Sequence, residues 1–311
     1  MGAAINGVGM LGKPTPGEDP IATYGRLLAA RHQLNLGDPL TELLQPERAE
    51  ASRWLPLAEV LAPESEVLTE VVSAHQRAAQ AWDTHIAAAL VLKMFSVQLI
   101  WPVLLPWATE RRVPELTMAN TWVRVESGGR LRGLRLEVPR FAVLPQDPVA
   151  GHPDAVPLDD EKALLEWLDE HVLAAAITRA VEVMRARYRV SARLAWGNVA
   201  PTANGLFQRL AAALGEDALR PSREAFFARR PDLAEMLKHV RFDDGTPAGR
   251  LQPMRTVCCL IYKAGDGTFC GTCPLIPLAT RIARYEAYCR GEGWLPLTAA
   301  DRARRGATPA S

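Results

Sequence analysis

Four of the five cysteines fall between residues 258 and 273. A disulfide framework spreads its cysteines along the chain to close loops, whereas thiols gathered in one short segment converge on a metal or a redox centre. The segment reads Cys258-Cys259-Leu260-Ile261-Tyr262-Lys263-Ala264-Gly265-Asp266-Gly267-Thr268-Phe269-Cys270-Gly271-Thr272-Cys273-Pro274-Leu275, the pattern C-C-x10-C-x2-C. Cys270 and Cys273 can bend round one site, and Gly271 allows the tight turn. Gly265-Asp266-Gly267 predicts a reversal between two short extended runs, which brings the Cys258-Cys259 end back beside Cys270 and Cys273. Thiolate sulfur serves zinc and iron–sulfur clusters alike. The adjacent pair is unusual for zinc, whose ligand pairs are commonly spaced by two to four residues. Neighbours in an extended chain point their side chains apart, so such a pair reaches two irons more naturally than one zinc. Spacing alone leaves zinc, an iron–sulfur cluster and a dithiol redox motif all open. It does not say which cysteine meets which iron.

The remainder reads as a mainly helical α+β body with a small antiparallel sheet and a C-terminal cysteine module. The expected division is a flexible arm over 1–20, the body over 21–250, the cluster module over 251–290 and a flexible tail over 299–311. Leu68, Val71, Val72, His75, Ala79 and Trp82 share one face and predict a helix over 66–82. A second helix is expected over 84–100. The longest charge-free apolar stretch, 94–109, is shorter than the ~20 residues of a spanning helix. It contains Pro102 and Pro106 and reads as a buried helix ending in a Pro-rich turn. Peripheral contact with a membrane surface is compatible with it.

Residues 122–126 and the alternation at Leu134, Leu136 and Val138 predict strands joined through Ser127-Gly128-Gly129, with a third strand over 141–144. A Pro/Asp-rich connection follows over 145–157. Asp159 and Asp160 suit the start of a long helix reaching about residue 187, and further helices are expected over 203–215, 223–238 and 276–290. Cys289, on the last of these, reads as a partly buried thiol outside the ligand set.

The formal net charge of +1 over 311 residues offers no support for nucleic acid as a partner. The opening residues lack a basic region before an apolar core, so a cytoplasmic protein is expected, with the inner face of a membrane as its peripheral alternative. Gly7, Gly9 and Gly12 spell G-x-G-x-x-G. Only six residues precede this motif, and Pro14 and Pro16 follow it, so it lacks the strand and helix that a dinucleotide site needs. Six histidines, at 32, 75, 85, 152, 171 and 239, show no paired spacing with carboxylates or with one another. His75 and His171 fall near apolar helix faces as core-edge residues. No nucleophile elbow and no phosphate-binding loop are present.

The cysteine segment resembles the signature of the FhuF-type ferric siderophore reductase family. The match includes Cys270-Gly271-Thr272-Cys273-Pro274-Leu275 and the basic Arg255 before the pair, and Trp196-Gly197-Asn198 resembles a segment further upstream. The resemblance implies that Cys258, Cys259, Cys270 and Cys273 hold a [2Fe–2S] cluster. It also implies one-electron reduction of Fe(III) in an imported siderophore, hydroxamate or catecholate, releasing Fe(II). Hydroxamate and catecholate oxygens are hard donors that hold Fe(II) far less well than Fe(III). Arg255, Lys263 and Arg241 flank the motif as candidates to attract an anionic chelate. Alternatively, they are solvated charges or offset the negative charge of the cluster. Nicotinamide hydride arrives as an electron pair, and the chain has no credible dinucleotide motif, so a separate one-electron donor such as a ferredoxin is expected. Two rivals remain: a protein of siderophore biosynthesis, and a zinc or iron–sulfur interaction module without catalysis.

Overall fold

The computed structural model describes residues 14–34, 36, 53–126, 128–243, 250–265, 267, 269–289, 292 and 295. Helix α1 (Ala22–Ala29) is followed by β1 (Arg53–Pro56), a helical turn (Leu57–Val60), α2 (Glu66–Ala78) and α3 (Thr84–Glu110). Then come β2 (Val113–Pro114), β3 (Thr121–Val125), β4 (Leu131–Leu136), β5 (Phe141–Val143) and β6 (Ala155–Pro157). Helix α4 (Glu161–Leu168) runs through a π-helical stretch (Asp169–Thr178) into α5 (Arg179–Tyr188). After α6 (Ala192–Leu214), α7 (Glu216–Arg229) and a turn (Pro231–Ala234), the chain forms β7 (Leu237–Phe242) and β8 (Arg250–Arg255), and it ends in α8 (Leu278–Cys289). The class is α+β, as expected. One antiparallel sheet has the order β1-β3-β4. A second has the order β2-β5-β6 and closes with a parallel β5–β6 pair. Strands β7 and β8 form a separate antiparallel hairpin.

Helix starts follow local chemistry. Ser65, Asp83, Asp160 and Ser191 each accept a backbone N–H three residues on, which satisfies a donor that the first turn leaves without a partner. The core is organised round α3, which is buried on nearly all sides. Helix α6 packs along it, with Trp107 set edge-on to Phe207 and the Trp101 Nε1–H donating to the Thr202 carbonyl at 2.9 Å. Helix α3 is long and apolar enough to cross a membrane, but most of its apolar stretch lies inside the protein.

Several expectations are corrected. Helix α3 does not stop before its prolines but continues through both to Glu110. Pro106 has no N–H to give the Pro102 carbonyl, and the Tyr24 hydroxyl donates to that carbonyl at 3.0 Å instead. Trp82 does not share the buried face of α2. The helix ends at Ala78, Gln80 adopts a left-handed conformation and Trp82 is exposed. The helix expected over 223–238 ends at Arg229. The residue before Pro231 is pushed out of helical conformation, and β7 follows. Residues 155–157 add a parallel strand where only a connection was expected, and 141–143 pair with β2 and β6 rather than with the hairpin.

Within the arm expected over 1–20, residues 14–20 are tied to the body. The Gly17 N–H donates to Pro148, and Glu18 pairs with Arg26 at 2.6 Å. Residues 1–13, including the G-x-G-x-x-G glycines, lie outside the described residues, as do the tail 299–311, Ser127, Asp266 and the Cys289 side chain.

Candidate metal centre

Strand β8 delivers the chain to the cysteines. Its last residue, Arg255, is buried, and its guanidinium donates to the Val257 carbonyl at 2.8 Å, the Gly197 carbonyl at 3.0 Å and Asn198 Oδ1 at 2.9 Å. The Gly197 carbonyl is available because Pro201, four residues on in α6, has no N–H to donate to it. Asn198 also donates from Nδ2 to Ala89 in α3, so one residue ties three segments together. Val257 packs onto Gly197 so tightly that only a glycine fits there.

The chain then turns sharply. Leu260 adopts a left-handed conformation and donates its N–H to Cys258 Sγ at 3.4 Å. A 3-10 turn, Ile261–Lys263, replaces the extended run expected after the pair. It is tied to the end of α2 by Trp82 N–H to Lys263 and Gly265 N–H to Ala79, at 3.1 and 2.8 Å. The reversal falls at Gly265–Gly267, as expected, with both glycines at positive φ. Tyr262 and Phe269, 5.3 Å apart between ring centres, pack over the sulfurs with Ile276.

The four sulfurs converge as two pairs. Cys258 Sγ lies 3.9 Å from Cys273 Sγ, and Cys259 Sγ lies 4.0 Å from Cys270 Sγ. Each partner of the adjacent pair therefore meets a different member of the C-x2-C pair. Cys259 and Cys273 are buried, while Cys258 and Cys270 are half-buried. Hydrogen bonding between the thiols splits their acidities. The bond that Cys270 accepts from Cys259 and the nearby Cys273 thiol pull its thiol down to about 2. Cys258 is lowered by its bond from Cys273, while the donors Cys259 and Cys273 are pushed up by those bonds and by burial. The positive charges of Arg255 and Lys93 act on Cys259 and Cys270. Arg281, half-buried, feels the charges of Cys270 and Cys273. It also donates to the Arg255 carbonyl at 3.3 Å.

The model of the Ferric iron reductase FhuF-like transporter family matches residues 90–247, and that of the FhuF 2Fe-2S C-terminal domain matches residues 255–275. The chain belongs to the FhuF-like ferric iron reductase family. No curated protein sequence matches it. The FhuF-like chain carries a C-terminal 2Fe-2S domain, and its donors fit that cofactor. Among the described residues no three cysteine sulfurs lie mutually within 4.8 Å, as a single tetrahedral zinc would draw them, whereas two close pairs suit two irons. In this FhuF-like protein the two matched regions meet where Arg255 and Val257 engage Gly197 and Asn198.

Of the candidate substrate contacts, Arg255 faces inward and serves as the tether just described. Lys263 is half-buried, with its ammonium 5.6 Å from the Trp82 ring centre and 6.0 Å from that of Tyr262. Arg241 is exposed on β7. Sequence reasoning missed Lys93 and Arg281. Lys93 carried a signal, as the lone formal charge in the otherwise uncharged run 84–109. It also missed that Asp19, His152 and Asp154 bring their ligand atoms within 4.8 Å of one another, across a long sequence gap.

Proposed function

We propose that this protein reduces ferric siderophores in the cytoplasm. In this reading Cys258, Cys259, Cys270 and Cys273 ligate the [2Fe–2S] cluster, and a separate protein such as a ferredoxin supplies single electrons. The arrangement of the sulfurs in two close pairs is the observation that carries the reading. The bound cluster supplies one-electron transfer, which loosens iron from hard oxygen donors without consuming the chelator. The chain's own residues supply the rest. Tyr262 and Phe269 limit water access to the sulfurs, and Arg255 fixes the loop on the helical body. Lys93, Arg255 and Arg281 offset the negative charge of the thiolates. Cys258 and Cys270, half-buried, are the more exposed of the four sulfurs and the natural points for electrons to pass to and from partners.

The test is anaerobic purification followed by iron and acid-labile sulfide analysis. The prereduced protein is then titrated with ferric siderophores in the presence of a ferrous trap. Near two irons and two sulfides per chain, with one Fe(II) trapped per cluster reoxidised, supports the reading. A colourless, zinc-loaded protein, or a reduced cluster that no ferric siderophore reoxidises, refutes it.

A further inference from the structure

A cavity of about 430 Å³ opens between the C-terminal part of α2, the middle of α3 and the start of β4. His75, Met94, Val97, Gln98, Arg130 and Arg132 line it. Its size falls in the ordinary range for small-molecule sites, roughly 300–1,000 Å³. We propose that this cavity binds a ferric chelate of net negative charge and holds it beside the cysteine centre, an inference that rests on the reductase reading above.

Three observations carry it. The first is the distribution of polarity. Met94 and Val97 make an apolar wall, while Arg130 and Arg132 put positive charge at its edge. Arg132 pairs with Glu126 at 3.6 Å, and Arg130, exposed at the mouth, supplies positive charge there. Burial and the neighbouring Arg130 push the His75 imidazole below its ordinary range, so the arginines carry the charge. Such a surface suits a chelate with an apolar scaffold and anionic oxygens.

The second observation is a polar group without a partner. Gln98 is 6% exposed, and its Nε2 donates to the Leu131 carbonyl. Its Oε1 is buried without a hydrogen bond. A buried acceptor of this kind is costly, and a turn of the Gln98 side chain, which belongs to the cavity lining, would let a ligand N–H or O–H satisfy it.

The third is the path to the sulfurs. Ala79 lines the cavity, and its carbonyl accepts the N–H of Gly265, in the loop between the two cysteine pairs. Lys93, whose charge reaches Cys259 and Cys270, stands one helical turn, about 6 Å along the axis, from Val97 in the cavity wall. Helix α3 also touches the Ile261–Lys263 turn of the cysteine loop, so the same helix that walls the cavity borders that loop. The opposite wall is held in place by Gly129, where a Cβ would come within 2.6 Å of the Ala74 Cβ. This close seat brings Arg130 beside His75. With a reduced cluster held by the four cysteines, one electron would pass to Fe(III) of the chelate bound in the cavity. The products would be the oxidised cluster, Fe(II) and the intact chelator.

The test uses oxidised, cluster-loaded protein and the gallium(III) tricatecholate, which cannot be reduced under these conditions, with binding read by calorimetry. Val97→Trp projects an indole into the cavity and obstructs it, and Arg130→Glu, at an exposed position, reverses charge at its mouth. Both should weaken binding at least tenfold while leaving the cluster absorption and iron content unchanged. The neutral gallium trihydroxamate should bind at least tenfold less well than the tricatecholate. No binding by the unsubstituted protein, or equal binding by it and both variants, overturns the proposal. If ferric tricatecholate reoxidises the prereduced cluster equally fast in all three proteins, the reductase reading stands and the cavity assignment falls. If the gallium complex binds and is lost in both variants while no ferric chelate reoxidises the cluster, the cavity assignment stands and the reductase reading falls.

Discussion

Gly197 and Val257 stand so close that a Cβ on the glycine would lie 2.4 Å from the Val257 Cβ. This contact sets the residue before Cys258 against α6, and the hydrogen bonds from Arg255 to Gly197 and Asn198 surround it. The position of the cysteine centre therefore depends on a single missing side chain in a helix some sixty residues upstream.

Gly197→Ala should force Val257 away, because neither the α6 backbone nor a β-branched side chain can yield by an ångström without strain. Overpacking of this kind costs about 1–3 kcal/mol. The expected result is a protein with unchanged far-ultraviolet circular dichroism and a markedly lower iron content after purification. An alanine variant with full cluster occupancy and an unshifted melting temperature would show that the contact relaxes freely.

Arg255→Lys should destabilise the C-terminal module although charge is retained. Lysine cannot reproduce three donors in a planar fork, and it would leave the Gly197 carbonyl and Asn198 Oδ1 short of a partner. The expected loss is about 2–4 kcal/mol, read as a lower urea midpoint and faster release of iron to a chelator.

Cysteine-to-serine replacements should fall into two spectroscopic classes. Cys258→Ser and Cys273→Ser should resemble one another, as should Cys259→Ser and Cys270→Ser, because members of each class come from one sulfur pair. Electron paramagnetic resonance of the reduced variants reads this directly, since reduction places the extra electron mainly on one iron. Cys289→Ser should leave the spectrum unchanged. Classes that group Cys258 with Cys259 would refute the pairing.

Lys93→Met should lower the reduction potential of the centre by tens of millivolts. It removes a positive charge that acts on Cys259 and Cys270 and that favours the more negative reduced state. Spectroelectrochemistry at low ionic strength is the measurement, and an unchanged or raised potential would contradict it.

His75 predicts a pH dependence of stability. Its folded pKa lies below the ordinary value of 6.5 because of burial and Arg130. As pH falls through about 6.5, the unfolded chain therefore takes up a proton that the folded chain resists, and stability declines. The decline should level off below the depressed folded value. Urea midpoints measured between about pH 5 and 8 should show this slope, and His75→Gln should flatten it.

Two elements show where local reasoning stops. The helix over 66–78 follows from its apolar spacing and Ser65 cap, but its extension to Trp82 does not hold, because Gln80 breaks the helix in a left-handed conformation. The continuation of α3 through Pro102 and Pro106 could not be read from the chain alone. A proline is tolerated mid-helix only where another group takes up the freed carbonyl, and that group, Tyr24, is about eighty residues away. The same logic hides in α6, where Pro201 frees the Gly197 carbonyl for Arg255.

The sequence by itself determined that thiols converge near the C-terminus, because C-C-x10-C-x2-C and its glycine reversal are local, and short-range geometry suffices to bring the four residues together. It also carried the helical character of the body through periodicity and caps. Only the tertiary structure decided how the sulfurs pair, why Trp196-Gly197-Asn198 matters, that Arg255 turns inward as a tether, and that the charge of Lys93 reaches the centre. These depend on contacts between segments far apart in the chain, whose register is set by how helices and hairpins pack, and no local pattern of residue types records that register.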